Sequence, residues 1–486
     1  MLQKFSRLLA AEFPHSFTPL QAEAAALLAR FAADVAGPEV FILRGYAGTG
    51  KTTLVGALVR ALVALRRPVV LLAPTGRAAK VLADRSGRSA STIHRMIYRQ
   101  ETFTGEDTRF SMDFNRLQRA VFVVDEASMI ARGEAFSGSP FGSGQLLDDL
   151  LRYVHEGVDC RLLLVGDTAQ LPPVGEEESP ALSTAVMRRY GLRVAEADLT
   201  EVVRQSAASG VLANATRLRQ CIDGGSEVLP RIAVSRHGEV RVLPGNELIE
   251  ALVSAYADYG ADDTIVVTRS NRRANIYNNG IRARVFDREE EITRGDRVMV
   301  VKNNYFWTEQ LQAGRDKDEP ALPMNFIANG DTAEVIRIRN VHSEYGFRFA
   351  DATLRFTDYD DFELDCRVLL DTLASESPSL TAEESHRLYE GVLADYADIP
   401  SRRERMKALR RDPYYNALQL KFAYAVTCHK AQGGQWSRVF LDQGYIPEDV
   451  GMKGYLRWLY TAFTRTTDRL YLVNWPEEQT EPETEG

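Results

Sequence analysis

Hydrophobic positions along this chain follow two patterns. Short runs at 41–43, 69–73, 121–124, 162–165, 264–268, 439–441 and 470–473 are almost wholly apolar, and each ends in a glycine or a polar cluster. Runs of this length, closed by turn signals, predict strands buried on both faces, as in a parallel sheet. Most are followed by a stretch with helical period. Residues 19–35 form an Ala/Leu-rich helix, with Thr18 placed as its N-cap and Pro19 at the first helical position. Residues 455–465, YLRWLYTAFTR, read as another helix. The second pattern lies between 293 and 414. There Phe362, Leu364, Cys366 and Val368 alternate with Glu363, Asp365 and Arg367, and Asn329, Gly330 and Asp331 make a hairpin turn. Several such strands predict a small barrel. Residues 377–412 are charged and helical. A shorter insertion at 96–118 predicts a β-hairpin with Phe103 and Phe110 near its tip. A wedge and a plain surface hairpin fit it equally.

The chain has 486 residues, enough for about three domains. Its 45% hydrophobic and 26% charged content is that of a globular protein. No apolar run reaches membrane-span length, and 1–13 lack a signal-peptide core, so a cytoplasmic protein is expected. Cys160, Cys221, Cys366 and Cys428 have no metal-ligand spacing and are expected as buried free thiols. The net charge of −8 places any nucleic-acid contact in a local groove. The cluster Arg402, Arg403, Arg405, Lys407, Arg410 and Arg411 fits a solvated helix face, with nucleic-acid backbone as the alternative. Residues 131–145 are Gly/Ser-rich and expected to be mobile. Residues 476–486 are acidic and expected to be disordered.

The candidate chemistry gathers where apolar runs end. Residues 45–52, GYAGTGKT, follow a strand and open a helix, the context of a phosphate loop. Gly45, Ala47, Gly48, Thr49, Gly50, Lys51, Thr52 and Thr53 would surround a nucleotide polyphosphate. Glycine lets the backbone N–H groups converge, and the helix end adds positive potential. Lys51 is placed for the β- and γ-phosphates, and Thr52 for Mg²⁺. After the strand at 121–124, Asp125 would hold Mg²⁺ through water, while Glu126 would polarise the attacking water. Gln170 follows the strand at 162–165, where it could report on the γ-phosphate. Gln21 is either a surface residue or an amide reading adenine. The loops carrying Thr75, and Thr92 with His94, pair hydroxyls with cations at strand ends.

The order of the motifs GYAGTGKT, VVDEAS, VGDTAQLPPVG, VVRQ, VTCHKAQGG and YTAFTR resembles that of superfamily 1 helicases, in particular their RecD-like and Dda-like 5′→3′ branch. The resemblance implies an α/β fold of two RecA-like parallel-sheet lobes, with a β-hairpin insertion in the first and an SH3-like barrel plus helical insertion in the second. The implied boundaries are 1–194 for the first lobe, 195–292 with 415–475 for the second, 293–414 for the barrel and helices, and 476–486 for the tail. It implies ATP and Mg²⁺, with Gln21 on adenine, Lys51, Asp125, Glu126 and Gln170 at the phosphates, and Arg204 and Arg465 as arginine fingers. Thr75, Arg77, Thr92, His94, Phe103, Asn271, Thr427, His429 and Lys430 would contact nucleic acid. The implied activity is unwinding of DNA by ATP-driven lobe motion, 5′→3′ along single strands. A single-strand translocase or remodelling ATPase, or an RNA-directed helicase, is the alternative. Expected partners are single-stranded and tailed duplex DNA, with repair, recombination or replication proteins; a monomer and no membrane contact are expected.

Overall fold

The computed structural model describes residues 2–33, 37–100, 110–132, 143–203, 209–235, 238–315, 322–324, 326–446 and 450–482. The apolar runs form two parallel sheets. In the first, strand Val40–Gly45 lies between Arg161–Gly166 and Val194–Leu199. The sheet continues through Val121–Val124 and Val69–Ala73 to Ser91–Thr92. All these pairings are parallel, so side chains alternate between two helical layers. Phe41, Leu43, Val123 and Leu163 pack with helices Pro19–Ala33 and Lys51–Ala64. Ile42, Phe122, Val124 and Leu164 pack with Leu146–Glu156 on the other face.

The second sheet has five parallel strands, ordered Val240–Leu243, Thr466–Val473, Trp436–Asp442, Thr264–Thr268 and Ala425–Thr427. Helix Gly451–Phe463 is almost wholly buried from Tyr455 onward, and the Arg457 within that stretch donates to Glu177 and Glu178 of the first lobe. Strands Arg297–Val300, Thr332–Glu344, Phe347–Phe356, Phe362–Leu369 and Leu418–Phe422 close into a barrel. The predicted alternation holds there: Leu364, Cys366 and Val368 are buried. Helices Ala382–Ala394 and Arg402–Arg410 follow. Arg402, Arg403 and Lys407 are exposed, whereas Arg405 donates 3.0 Å to the Ile399 carbonyl.

Two boundaries differ from expectation. Leu418–Phe422, assigned from sequence to the second lobe, is the barrel's closing strand, paired antiparallel with Arg297–Val300. Its alternation of Leu418, Leu420 and Phe422 with Gln419 and Lys421 is the period-two pattern of the other barrel strands, not the apolar run of a lobe strand. The acidic tail is ordered as far as Pro482: Thr480–Pro482 pairs with Ile232–Val234, and the buried Gln479 accepts from the Tyr455 hydroxyl at 3.0 Å. Backbone pairing and one buried amide fix the segment despite its charge. The expected hairpin is present as Tyr98–Gln100 paired with Phe110–Met112. Its tip, Phe103 included, and residues 133–142 lie outside the described residues. Among the described residues no helix is long and apolar enough to cross a membrane, and the four cysteines are unpaired.

Candidate nucleotide site and strand-binding loops

A cavity of about 490 Å³ lies at the C-terminal ends of the first sheet's strands and is walled on its far side by the second lobe. This is where open parallel sheets carry ligands. Gly50 stands at the mouth with φ of 79°, a left-handed conformation that any other residue would strain. A Cβ there would also lie 2.6 Å from Gln21 Nε2. Gln21 is buried; its amide donates 2.9 Å to the Thr49 carbonyl and its oxygen accepts from the Thr18 N–H at 3.0 Å. It therefore braces the phosphate loop. Lys51 donates to the Gly45 carbonyl and, at 2.9 Å, to the Tyr46 carbonyl. Gly48, Thr52 and Thr53 line the same wall.

Asp125 and Glu126 face the loop from the strand Val121–Val124. Burial, and then the neighbouring Glu126, push the Asp125 carboxyl up to about 6. Glu126 has a positive φ of 51°, which turns the chain sharply after the strand. Among the described residues Asp125 has no ion-pair partner and no cluster of three metal-ligating side chains exists. A carboxylate with no direct ion pair, lining one cavity with Thr52, fits Mg²⁺ held by few protein ligands and by phosphate. Gln170, 7% exposed, lines the cavity with Oε1 lacking a hydrogen-bond partner. Such an orphaned acceptor marks a site built for another group.

The second lobe supplies Arg465. It is 3% exposed and lines the cavity. Its guanidinium donates to Thr461 O at 3.1 Å, Gly434 O at 3.2 Å and Thr464 Oγ1 at 3.1 Å. These acceptors are neutral, and among the described residues no carboxylate pairs with it. A buried arginine without a counter-ion, in the wall of a cavity that a phosphate loop also lines, is ready for an anion. Arg204 lies outside the described residues.

Sequence reasoning missed three contributors. Asp167 ends the strand Arg161–Gly166 as Asp125 ends its own, and burial raises its carboxyl. Tyr460 donates to Asp167 Oδ2 at 2.6 Å and accepts from the Ala47 N–H at 2.9 Å. Arg85 donates to Thr52 Oγ1 at 3.4 Å and to Gln435 of the second lobe. Asp167 was visible as a strand-end carboxylate; nothing local marked Tyr460 or Arg85.

With this geometry in place, known proteins can be compared. An AAA domain model matches residues 19–228, and the model of the UvrD-like helicase C-terminal domain matches residues 422–473. The helicase Dda of Enterobacteria phage T4 is 25% identical over 449 residues, covering 87% of this chain and 92% of that protein. The chain is therefore similar along most of its length to a DNA helicase, and residues 422–473 match a helicase domain. The RecD2 DNA helicase of Deinococcus radiodurans is 36% identical over 183 residues, which cover 37% of this chain and 21% of that protein. Among solved structures, Pif1 helicase from Bacteroides in complex with ADP-AlF3 and ssDNA aligns over 96% of this chain and 95% of that one, at 15% identity and a TM-score of 0.43.

The remaining expected residues sit at ends of neighbouring strands. Ala73 pairs with Thr92, and Thr268 with Thr427, so a helix N-terminus follows each of four strand ends. Thr75 Oγ1 accepts from Ala78 N at 3.2 Å and Thr92 Oγ1 from Arg95 N at 3.2 Å. Ser270 does the same for the helix opened by Asn271. Thr427 caps Cys428–Ala431 without a side-chain bond. Helix N-termini of this kind suit phosphate. His429 and Lys430 are exposed, and Lys430 donates to Asn329 of the barrel. Two expected contacts are otherwise engaged. Arg77 stacks on Trp436 at 4.3 Å and joins the lobes. His94 packs near Tyr98 and Phe326, and desolvation pushes its imidazole down to about 4, so it presents no cation.

Proposed function

We propose that this chain is an ATP-dependent DNA helicase that moves 5′→3′ along single-stranded DNA. The observation that carries the reading is Arg465: a buried cation of the second lobe, held only by neutral acceptors, facing the phosphate loop of the first. Placed there, it stabilises transition-state charge only when the lobes are together. Hydrolysis is thereby tied to lobe closure. Lys51 and the loop N–H groups hold the β- and γ-phosphates, Gln21 fixes the loop, and Glu126 orients the attacking water and takes up its proton. Thr52 and Asp125 would hold Mg²⁺, which when bound neutralises phosphate charge. The names of the phage and Deinococcus relatives, both ATP-dependent DNA helicases, support DNA as the track. The capped helix ends after Thr75, Thr92, Ser270 and Thr427 would grip backbone phosphates from both lobes. Alternate gripping during opening and closing would advance the chain.

The test is DNA-stimulated ATP hydrolysis. Lys51→Ala is expected to abolish turnover while single-strand binding stays within about threefold of the parent, because the strand loops are built from other residues. Retained hydrolysis in that variant would overturn the assignment of the ATP site.

A further inference from the structure

The Tyr46–Ala47 peptide of the phosphate loop is held at both ends. Its carbonyl accepts from Lys51 Nζ at 2.9 Å, and its N–H donates to Tyr460 at 2.9 Å. Tyr460 belongs to helix Gly451–Phe463 of the second lobe and is 1% exposed. The same hydroxyl gives its proton to Asp167 Oδ2 at 2.6 Å, and Asp167 Oδ1 accepts from Ala169 N at 2.9 Å. Gln170 follows directly. A phenol has one donor and acceptor capacity besides, and both are used here. One buried hydroxyl therefore touches the loop that carries the lysine and the turn that carries Gln170. Five residues on, the same segment carries Arg465.

We propose that Tyr460 is a positioning residue for ATP turnover: its hydroxyl ties the phosphate loop and Asp167 to the helix that ends just before Arg465. The assignment rests on the ATPase reading above. When Lys51 turns toward phosphate, the Tyr46 carbonyl keeps Thr49, whose Oγ1 donates to it at 2.8 Å, and the Ala47 N–H keeps Tyr460. The second lobe thus stays in register with the loop during the step in which Arg465 acts. The tie differs from other contacts of the same helix. Arg457 donates to the Glu177 carbonyl at 2.5 Å and to Glu178 at 2.7 Å, also across the lobes, but neither acceptor belongs to the phosphate loop or to the turn that carries Gln170.

The experiment compares Tyr460→Phe, Asp167→Asn, their double variant and Arg457→Gln in the full chain, reading kcat and KM for ATP with single-stranded DNA present. Tyr460→Phe keeps the ring and its packing but leaves the Ala47 N–H and Asp167 Oδ2 unpaired. We expect kcat to fall about ten- to hundredfold with KM for ATP held within about twofold. Asp167→Asn should fall similarly, and the double variant should be no worse than the poorer single, because both cut one connection. Arg457→Gln should keep kcat within about threefold. The role is overturned by a Tyr460→Phe kcat within twofold of the parent. It is also overturned by multiplicative losses in the double variant, or by an equal loss in Arg457→Gln, which would indicate lobe docking in general. Should Tyr460→Phe not fold, Asp167→Asn alone decides by the same kcat and KM criteria. A parent chain without ATP hydrolysis would instead refute the ATPase reading itself.

Discussion

Replacing Arg465 by alanine should separate stability from catalysis. The guanidinium makes three hydrogen bonds, of 3.1, 3.2 and 3.1 Å, to neutral acceptors and is 3% exposed. Hydrogen bonds from a charged donor contribute roughly 1.5–3 kcal/mol each. Keeping an unpaired cation out of water costs several kcal/mol in the other direction. The two nearly cancel, so the net change in folding stability should lie within about 2 kcal/mol. Catalysis has no such offset. An arginine acting on transition-state charge contributes roughly 10³–10⁵ in rate, or about 4–7 kcal/mol. Arg465→Ala should therefore lose at least about a thousandfold in DNA-stimulated kcat with little change in thermal unfolding. Arg465→Lys should recover under about a tenth of the loss, because a lysine lacks the planar fork. The assay is steady-state ATP hydrolysis with saturating single strands, alongside thermal unfolding of each variant. A folded alanine variant with kcat within tenfold of the parent would refute the reasoning. So would a variant that unfolds below the assay temperature, since that makes the arginine structural.

Two other sites carry predictions of a different kind. Asp296 is fully buried and accepts from Arg282 at 3.0 and 2.9 Å, from Arg288 at 2.8 Å and from the Tyr424 hydroxyl at 3.1 Å. Asp296→Ala leaves two arginines unpaired at the junction of barrel and second lobe, and urea unfolding should show a loss of about 3–5 kcal/mol. A loss under 1 kcal/mol would contradict this. Asp331, on the barrel turn against Gly76, accepts from Tyr359 at 3.0 Å, and burial pushes its carboxyl up to about 7. Its folded pKa lies above the unfolded value of about 4, so the native state holds a proton that the unfolded chain releases. That stability is full below pH of about 4 and is lost as pH rises through about 7, by a few kcal/mol at most. Asp331→Asn should flatten the fall in melting temperature between those limits, with Asp358 next to it left in place. An unchanged slope would contradict the burial argument.

Much of the fold could be read from short apolar runs. Each ends where a sheet needs a turn, and the residues after it (Lys51, Asp125, Gln170, Thr427) meet the ligand edge because all the strands are parallel. Local pattern and tertiary position agree at those points. They part where the site depends on contacts between distant segments. Tyr460 and Asp167 are 293 positions apart, and nothing in YTAFTR distinguishes a packed tyrosine from one bonded to a phosphate loop. His94 stands between Thr92 and Arg95 in sequence, and the packing of Tyr98 and the distant Phe326 around it, which sequence does not show, accompanies the desolvation that keeps it neutral. Leu418–Phe422 differs: its alternating Leu418, Leu420 and Phe422 already match the barrel pattern, but five residues next to a lobe strand are too few to mark a boundary. The acidic tail pairs because backbone hydrogen bonding is blind to side-chain charge.

Strand displacement with ATP and Mg²⁺ on two duplexes, one with a 5′ single-stranded tail and one with a 3′ tail, tests the central claim most directly. The account predicts unwinding of the 5′-tailed duplex and its loss in Lys51→Ala. Unwinding of only the 3′-tailed duplex, or ATP hydrolysis stimulated by single strands with neither duplex opened, would contradict it.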